Sequence, residues 1–280
     1  MENISQFNGL NVNPLSLEAL LNDRSPMPED LIAPNILTPG GLLVFGGEPK
    51  VGKSDFLLTL LVHMASGTPF LGMTPPRPLR IFYLQAELRY DYLRERVQRM
   101  AVDESWLPLL GKNLLITSEP NPLLNAKGIQ LLQGTLTHDF SEGPVDIIVT
   151  DPLHYFFDWQ EEGVNKSYSD IISAVQQRLS HLRNMLNPNA GLIVTHSIYE
   201  PQRGKNKDPF SGMKEMGNLR RRYTSMMVMV RPNKKETGLQ ITFKRRNSPQ
   251  LGTKHVDKID NQWCEINACS KPSPDLGDLK

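Results

Sequence analysis

The chain has 280 residues, 39% apolar and 22% charged, and holds no run of 18 apolar residues; it is long enough for one large core and carries no membrane span. Two cysteines, Cys264 and Cys269, are too few for a disulfide framework, and the start MENISQFNGLNVNPL lacks a basic-then-apolar leader pattern, so a cytoplasmic setting with reduced thiols is expected. The net charge of +1 hides an asymmetry: residues 203–258 hold 15 Lys and Arg against 4 Asp and Glu, the footprint of a surface that meets phosphates.

Residues 1–38, rich in Asn, Pro and Leu with weak periodicity, read as an N-terminal arm ending at the turn TPGG. Short continuous apolar runs follow at 41–47, 79–87, 113–117, 145–151 and 190–196, the pattern of strands buried on both faces. Helical patterns near 52–66, 90–101, 126–139 and 168–186 alternate with them, which predicts an α/β fold with a mostly parallel, doubly wound sheet. Three further runs, at 224–230, 238–244 and 262–266, are separated by turn-rich segments and should extend the sheet as antiparallel strands. The packed domain is therefore expected over 39–268, with a loose tail at 269–280. The C-x4-C pair in this last part has no second half and no adjacent His, which makes ordinary thiols the better account than a metal site.

The stretch Gly47-Glu48-Pro49-Lys50-Val51-Gly52-Lys53-Ser54 matches the phosphate-loop pattern G-x-x-x-x-G-K-[ST] in full, after one predicted strand and before one predicted helix. There the backbone amides would cradle the phosphates of ATP, Lys53 would reach the β and γ oxygens, and the Ser54 hydroxyl would ligate Mg2+. Asp151 closes the apolar run VDIIVTD at a strand's C-terminal end, where open α/β sheets bind ligands, and is the candidate for a carboxylate that meets Mg2+ through water. Glu87, at the end of LRIFYLQAE, is the candidate to orient and deprotonate an attacking water; a helix-capping acid is the plainer account of the same residue. His196 ends the strand AGLIVTH and is placed to sense the γ-phosphate, while His154 in DPLHYFF is either a second such group or part of an apolar loop.

These strand-end signals, in the order GEPKVGKS, YLQAE, VDIIVTD and IVTHS, resemble the RecA-like ATPase core over roughly residues 30–268, and in particular the small hexameric plasmid helicases of the RepA type. The resemblance implies that Glu87 is the catalytic glutamate and that His196 couples nucleotide state to DNA. It departs from that pattern at Thr195-His196-Ser197, where RepA-type proteins often carry two adjacent His. The run KRRNSPQLG also resembles the K-x-R-N-G-P-x-G stretch of DnaB-type replicative helicases, with Ser248 in place of a Gly and one more residue before Gly252. That likeness implies that Lys244 and Arg246, two apart on one strand face, act on the nucleotide of the neighbouring subunit. A closed ring, a homohexamer, is the assembly it implies.

Segments 152–167 and 198–217 are long for loops in a compact domain. The second carries Arg203, Lys205, Lys207 and Lys214, where the resemblance places a loop that tracks single-stranded DNA. Arg220, Arg221 and Arg222 cannot all share one helical face. The reading is an ATP-driven hexameric motor on single-stranded DNA, in the replication of a plasmid or other mobile element, with no membrane partner. Two alternatives stay open: a RecA-like regulatory or recombination ATPase that binds DNA without unwinding it, and a non-enzymatic DNA-binding regulator switched by ATP.

Overall fold

The computed structural model describes residues 14–118, 124–140, 142–156, 168–198, 208–211, 213, 223–232, 238–246 and 248–266. Nine strands form one sheet in the order β3-β2-β4-β5-β1-β6-β7-β8-β9. Strands β1 (Leu42–Gly47), β2 (Ile81–Gln85), β3 (Leu114–Ile116), β4 (Ile147–Asp151), β5 (Gly191–Ser197) and β6 (Ser225–Val230) pair in parallel. The remaining three, β7 (Leu239–Arg245), β8 (Lys254–Ile259) and β9 (Gln262–Glu265), continue the sheet antiparallel.

Burial explains the two kinds of strand. LLVFGG in β1 and IIVTD in β4 are buried at every position, because helices cover both faces of the parallel half. In β7, LQITFKR alternates buried and half-buried residues, the period-2 signature of a strand with one face on the core. Helices α2 (Lys53–Ser66) and α4 (Leu107–Asn113) pack together on one face, and α5 (Ala126–Asp139) and α6 (Tyr168–Leu186) on the other. Ten of the fourteen residues of α2 are buried, so this helix lies deep in its layer and fixes the loop that precedes it.

Most sequence-predicted elements stand where expected. Three were not anticipated: a short helix α1 (Leu17–Asn22), α4 and β8. In α4, LPLLGKN, Pro108 occupies the helix's first turn, where a missing N–H costs nothing. In β8, KHVDKI buries only Val256 fully, so no apolar run marks it as a strand.

The first packed residues also lie earlier than the predicted boundary. Leu31, Ile32, Ile36 and Leu37, assigned from sequence to the arm, are buried in the same apolar cluster as Phe45, Phe56 and Leu60 of β1 and α2. Ile32 bridges to Leu37, and Ala33 exchanges backbone hydrogen bonds with Thr74. The short helix α1 (Leu17–Asn22), capped by the Ser16 hydroxyl, buries none of its residues. The tail predicted from residue 269 lies outside the described residues.

Candidate functional site: a phosphate loop and its carboxylates

Strand β1 ends at Gly47 and α2 begins at Lys53, so the intervening loop curls over the N-terminus of a buried helix. A side chain at Gly47 would put its Cβ 2.6 Å from the Met229 carbonyl oxygen, and Gly52 sits at φ +99° as the cap of α2. Only glycine meets both demands. Lys50 is also left-handed, at φ +61°, which helps successive backbone amides turn to one side as in an anion nest. Val51 is buried, while Pro49 and Lys50 stay exposed at the rim and Glu48 is half-buried.

Lys53 is only 8% exposed and donates to the carbonyl oxygens of Gly47, at 3.0 Å, and Glu48, at 2.9 Å. Its ammonium therefore sits on the loop's own carbonyls. Burial pulls its pKa below the usual value, and the nearby charges of Asp151, Glu87 and Glu48 oppose that pull.

Across the loop, Asp151 closes β4 and is 4% exposed. The Tyr83 hydroxyl donates to its Oδ2 at 2.6 Å, and the Thr195 hydroxyl donates to Oδ1. Glu87 lies two residues past the end of β2 at the same sheet edge. Partial burial and the charge of Asp151 raise the Glu87 pKa, with Lys53 and Arg96 pulling it back. A cleft of about 520 Å3 is lined by Lys53, Ser54, Glu87, Arg96, Asp151 and His154, among others. A backbone cradle, a buried lysine and a helix N-terminus facing one cleft fit a nucleotide's phosphates. A hydroxyl and one carboxylate, both hard oxygen donors, fit Mg2+, which takes few protein ligands beside phosphate and water.

The sequence pattern of the AAA domain family matches residues 9–200. The chain belongs to that AAA domain family. No curated protein matches it. Among solved structures, the AAA domain here is similar to the ATPase domain of G40P, at 14% identity and TM-score 0.59, over 82% of this chain and 86% of that one. It is similar also to a KaiC-like protein from the hyperthermophilic archaeon Pyrococcus horikoshii OT3, at 13% identity and TM-score 0.55, over 86% and 96%. A DnaB-like replicative helicase, solved with attention to its interactions with primase, aligns at 13% identity and TM-score 0.60 over 82% of this chain but 58% of its own. At such identities the likeness is one of fold: the RecA-like P-loop ATPase architecture expected from the strand-end motifs.

Within this AAA domain Pro49, Lys50, Gly52, Lys53 and Ser54 of the loop line the cleft together with Asp151 and Glu87. His196, at the end of β5, is buried beside Gly46, its partner in register on β1. Burial, with His154 and Lys53 adding to it, lowers its pKa to about 4, so it is neutral at pH 7. His154 does reach the cleft: in its short 3-10 turn Leu153 and Phe156 point into the core, leaving His154 and Tyr155 at the cleft wall.

Lys244 and Arg246 are elsewhere. Arg245 pairs with Ser225, and Ser225 with Leu43, at the start of β1, whereas Gly47 at its end pairs with Met229. The KRR run thus lies at the opposite sheet edge from the chain's own phosphate loop. Arg203, Lys205, Lys207, Lys214 and Arg220 to Arg222 lie outside the described residues.

Sequence reasoning missed Arg96 at the cleft and the two buried hydroxyls that hold Asp151. Tyr83 and Thr195 sit inside apolar runs, where a hydroxyl reads as strand composition. Arg96, half-buried on α3 (Tyr90–Gln98), was one of several charges in LRYDYLRERV, and nothing in the pattern sets it apart.

Proposed function

We propose that this protein is an ATP-hydrolysing motor of the hexameric helicase type, assembled as a closed homohexamer that translocates on single-stranded DNA in the cytoplasm. The observation that carries this reading is the placement of Lys244 and Arg246. They share one face of the β7 line, as the alternation of burial requires, with Arg245 buried between them on the other face. Four residues of strand separate their level from the end of β1, about 13 Å at the usual strand rise. Cations set at the far end of the strands from their own chain's phosphate loop support action on a nucleotide held by the next subunit.

In this reading the amides of residues 47–54 and Lys53 hold the phosphates of ATP, while the Ser54 hydroxyl would ligate Mg2+ and Asp151 would meet it through water. Bound Mg2+ would neutralise charge on the β and γ phosphates. Glu87 accepts the proton of the attacking water; partial burial and the charge of Asp151 raise its pKa, which makes it a better base than an ordinary carboxylate. Neutral His196, held in the sheet beside Gly46, relays the presence of the γ-phosphate to the segment that follows β5. Lys244 and Arg246 of the neighbour stabilise charge in the transition state. Arg203, Lys205, Lys207 and Lys214 track the DNA backbone, and the motor serves the replication of a plasmid or other mobile element. The exposed leucines of α1 support self-association, since a helix that buries none of its residues among the described ones gains stability from covering that apolar face.

The test is ATP turnover, with and without single-stranded DNA, for wild type, Lys53→Ala, Arg246→Ala and mixtures of the two variants. Each variant alone should be inactive, and co-assembled mixtures should regain part of the rate because some interfaces then combine an intact loop with an intact arginine. Co-assembly without recovery would exclude the shared site. Glu87→Gln should bind ATP normally and turn over about 100-fold or more slower. Release of a strand from a forked duplex separates a motor from an ATPase that only binds DNA.

A further inference from the structure

The carboxylate of Asp151 is gripped from both sides. In the sheet β4 lies between β2 and β5, and each neighbour sends one hydroxyl to it: Tyr83 of β2 to Oδ2 at 2.6 Å, Thr195 of β5 to Oδ1. An aspartate's terminal torsion is otherwise soft and nearly two-fold, so two opposed donors set the plane of the group. Each carboxylate oxygen has two lone-pair sites; one is spent on a hydroxyl and one is left facing the cleft.

We propose that Tyr83 is a positioning residue for the metal site, holding Asp151 in the one orientation that presents its remaining lone pairs to the water shell of a nucleotide-bound Mg2+. This rests on the reading of Asp151 as the carboxylate that meets the metal.

Two features favour a positioning role over simple satisfaction of a buried hydroxyl. The Tyr83 ring is fixed in the apolar cluster that contains Ile81, Ile147 and Val149, so its hydroxyl cannot follow a moving partner. A pocket of about 10 Å3, lined by Ser54, Tyr83, Glu87, Arg96 and Asp151 among others, opens beside the hydroxyl; that is room for a single water, the size of ligand an outer-sphere Mg2+ contact needs.

Tyr83→Phe removes one oxygen and keeps the ring. The readout is Mn2+ affinity by electron paramagnetic resonance at saturating ADP, together with the Mg2+ dependence of ATP turnover. The Mn2+ dissociation constant and the KM for Mg2+ should each rise about tenfold, as when other outer partners of metal ligands are removed. The kcat at saturating Mg2+ and ADP binding without divalent metal should stay close to wild type. Unchanged Mn2+ affinity, or a fall in kcat with an unchanged Mg2+ dependence, would overturn the proposal. Asp151→Asn is the control that separates the two readings: if it too leaves Mn2+ affinity unchanged, the metal assignment itself fails, and if it abolishes binding while Tyr83→Phe has no effect, only the positioning role fails. Should Tyr83→Phe melt well below wild type, Thr195→Val removes the opposing donor and carries the same prediction through the other oxygen.

Discussion

The ammonium of Lys244 lies 5.8 Å from the centre of the Phe210 ring. Phe210 is buried in the apolar cluster that also holds Ile198 and Met213, and it follows the basic residues 203–207 in sequence. A cation over a partly desolvated ring is worth about 1 kcal/mol. In the proposed motor this contact joins the root of the DNA-facing segment to a cation offered to the next subunit. Phe210→Leu keeps apolar volume and removes the ring. Its basal ATP turnover should persist, while stimulation by single-stranded DNA should fall about fivefold, the kinetic equivalent of that energy. Equal stimulation in variant and wild type would reduce the contact to packing.

His196 gives the protein a predictable acid sensitivity. Its native pKa is about 4 because burial disfavours the charged ring, against about 6.5 when unfolded. Between these values the unfolded chain holds a proton that the native chain does not, so stability falls as pH drops through that window. His63 and His154 are displaced in the same direction, also mainly by burial. From pH 7 to pH 5 wild type should lose about 2 kcal/mol more unfolding free energy than His196→Gln. Urea unfolding at the two pH values measures the difference.

The three adjacent cations of the KRR run should separate cleanly by variant. Arg245 is buried and its guanidinium donates to the Pro34 carbonyl at 2.6 Å, tying β7 to the segment that packs under the sheet before β1. Gln250 adds two hydrogen bonds to the Arg245 backbone. Arg245→Met should cost about 1–3 kcal/mol of stability by orphaning that carbonyl. Arg246→Ala, at an exposed position, should stay within about 0.5 kcal/mol of wild type and yet lose turnover. Denaturant curves and ATPase rates on the same preparations test both halves.

Leu17, Leu20 and Leu21 stand at the i, i+3 and i+4 spacing of one helix face and are 72%, 55% and 64% exposed. Replacing all three by Ser should leave the melting temperature of the domain unchanged, because α1 contributes no buried residue to it. It should shift the assembly toward smaller species in ATP, as measured by light scattering on a sizing column. A wild-type and variant ring of equal size would remove α1 from the interface.

Much of the site could be read along the chain because its motifs are local. A phosphate loop needs its glycines, lysine and hydroxyl within eight residues, and the strands that carry Glu87, Asp151 and His196 announce themselves as apolar runs ending in a polar group. Tyr83, Thr195 and Arg96 could not be found that way. Their partners are 68 and 44 residues off for the two hydroxyls, and a strand's composition is the same whether or not a hydroxyl meets a carboxylate.

The order of the motifs determined the α/β class, the parallel half of the sheet and the edge at which the cleft opens, since each follows from periodicity and from what ends each strand. Only the tertiary structure decided that residues 31–37 belong to the core, that Arg245 is a tether between two cations on the opposite face, and that Asp151 is held from both neighbouring strands. Those facts depend on which strands become neighbours and on the register between them. That choice is made by packing apolar surface across the whole sheet, and no window of sequence contains it.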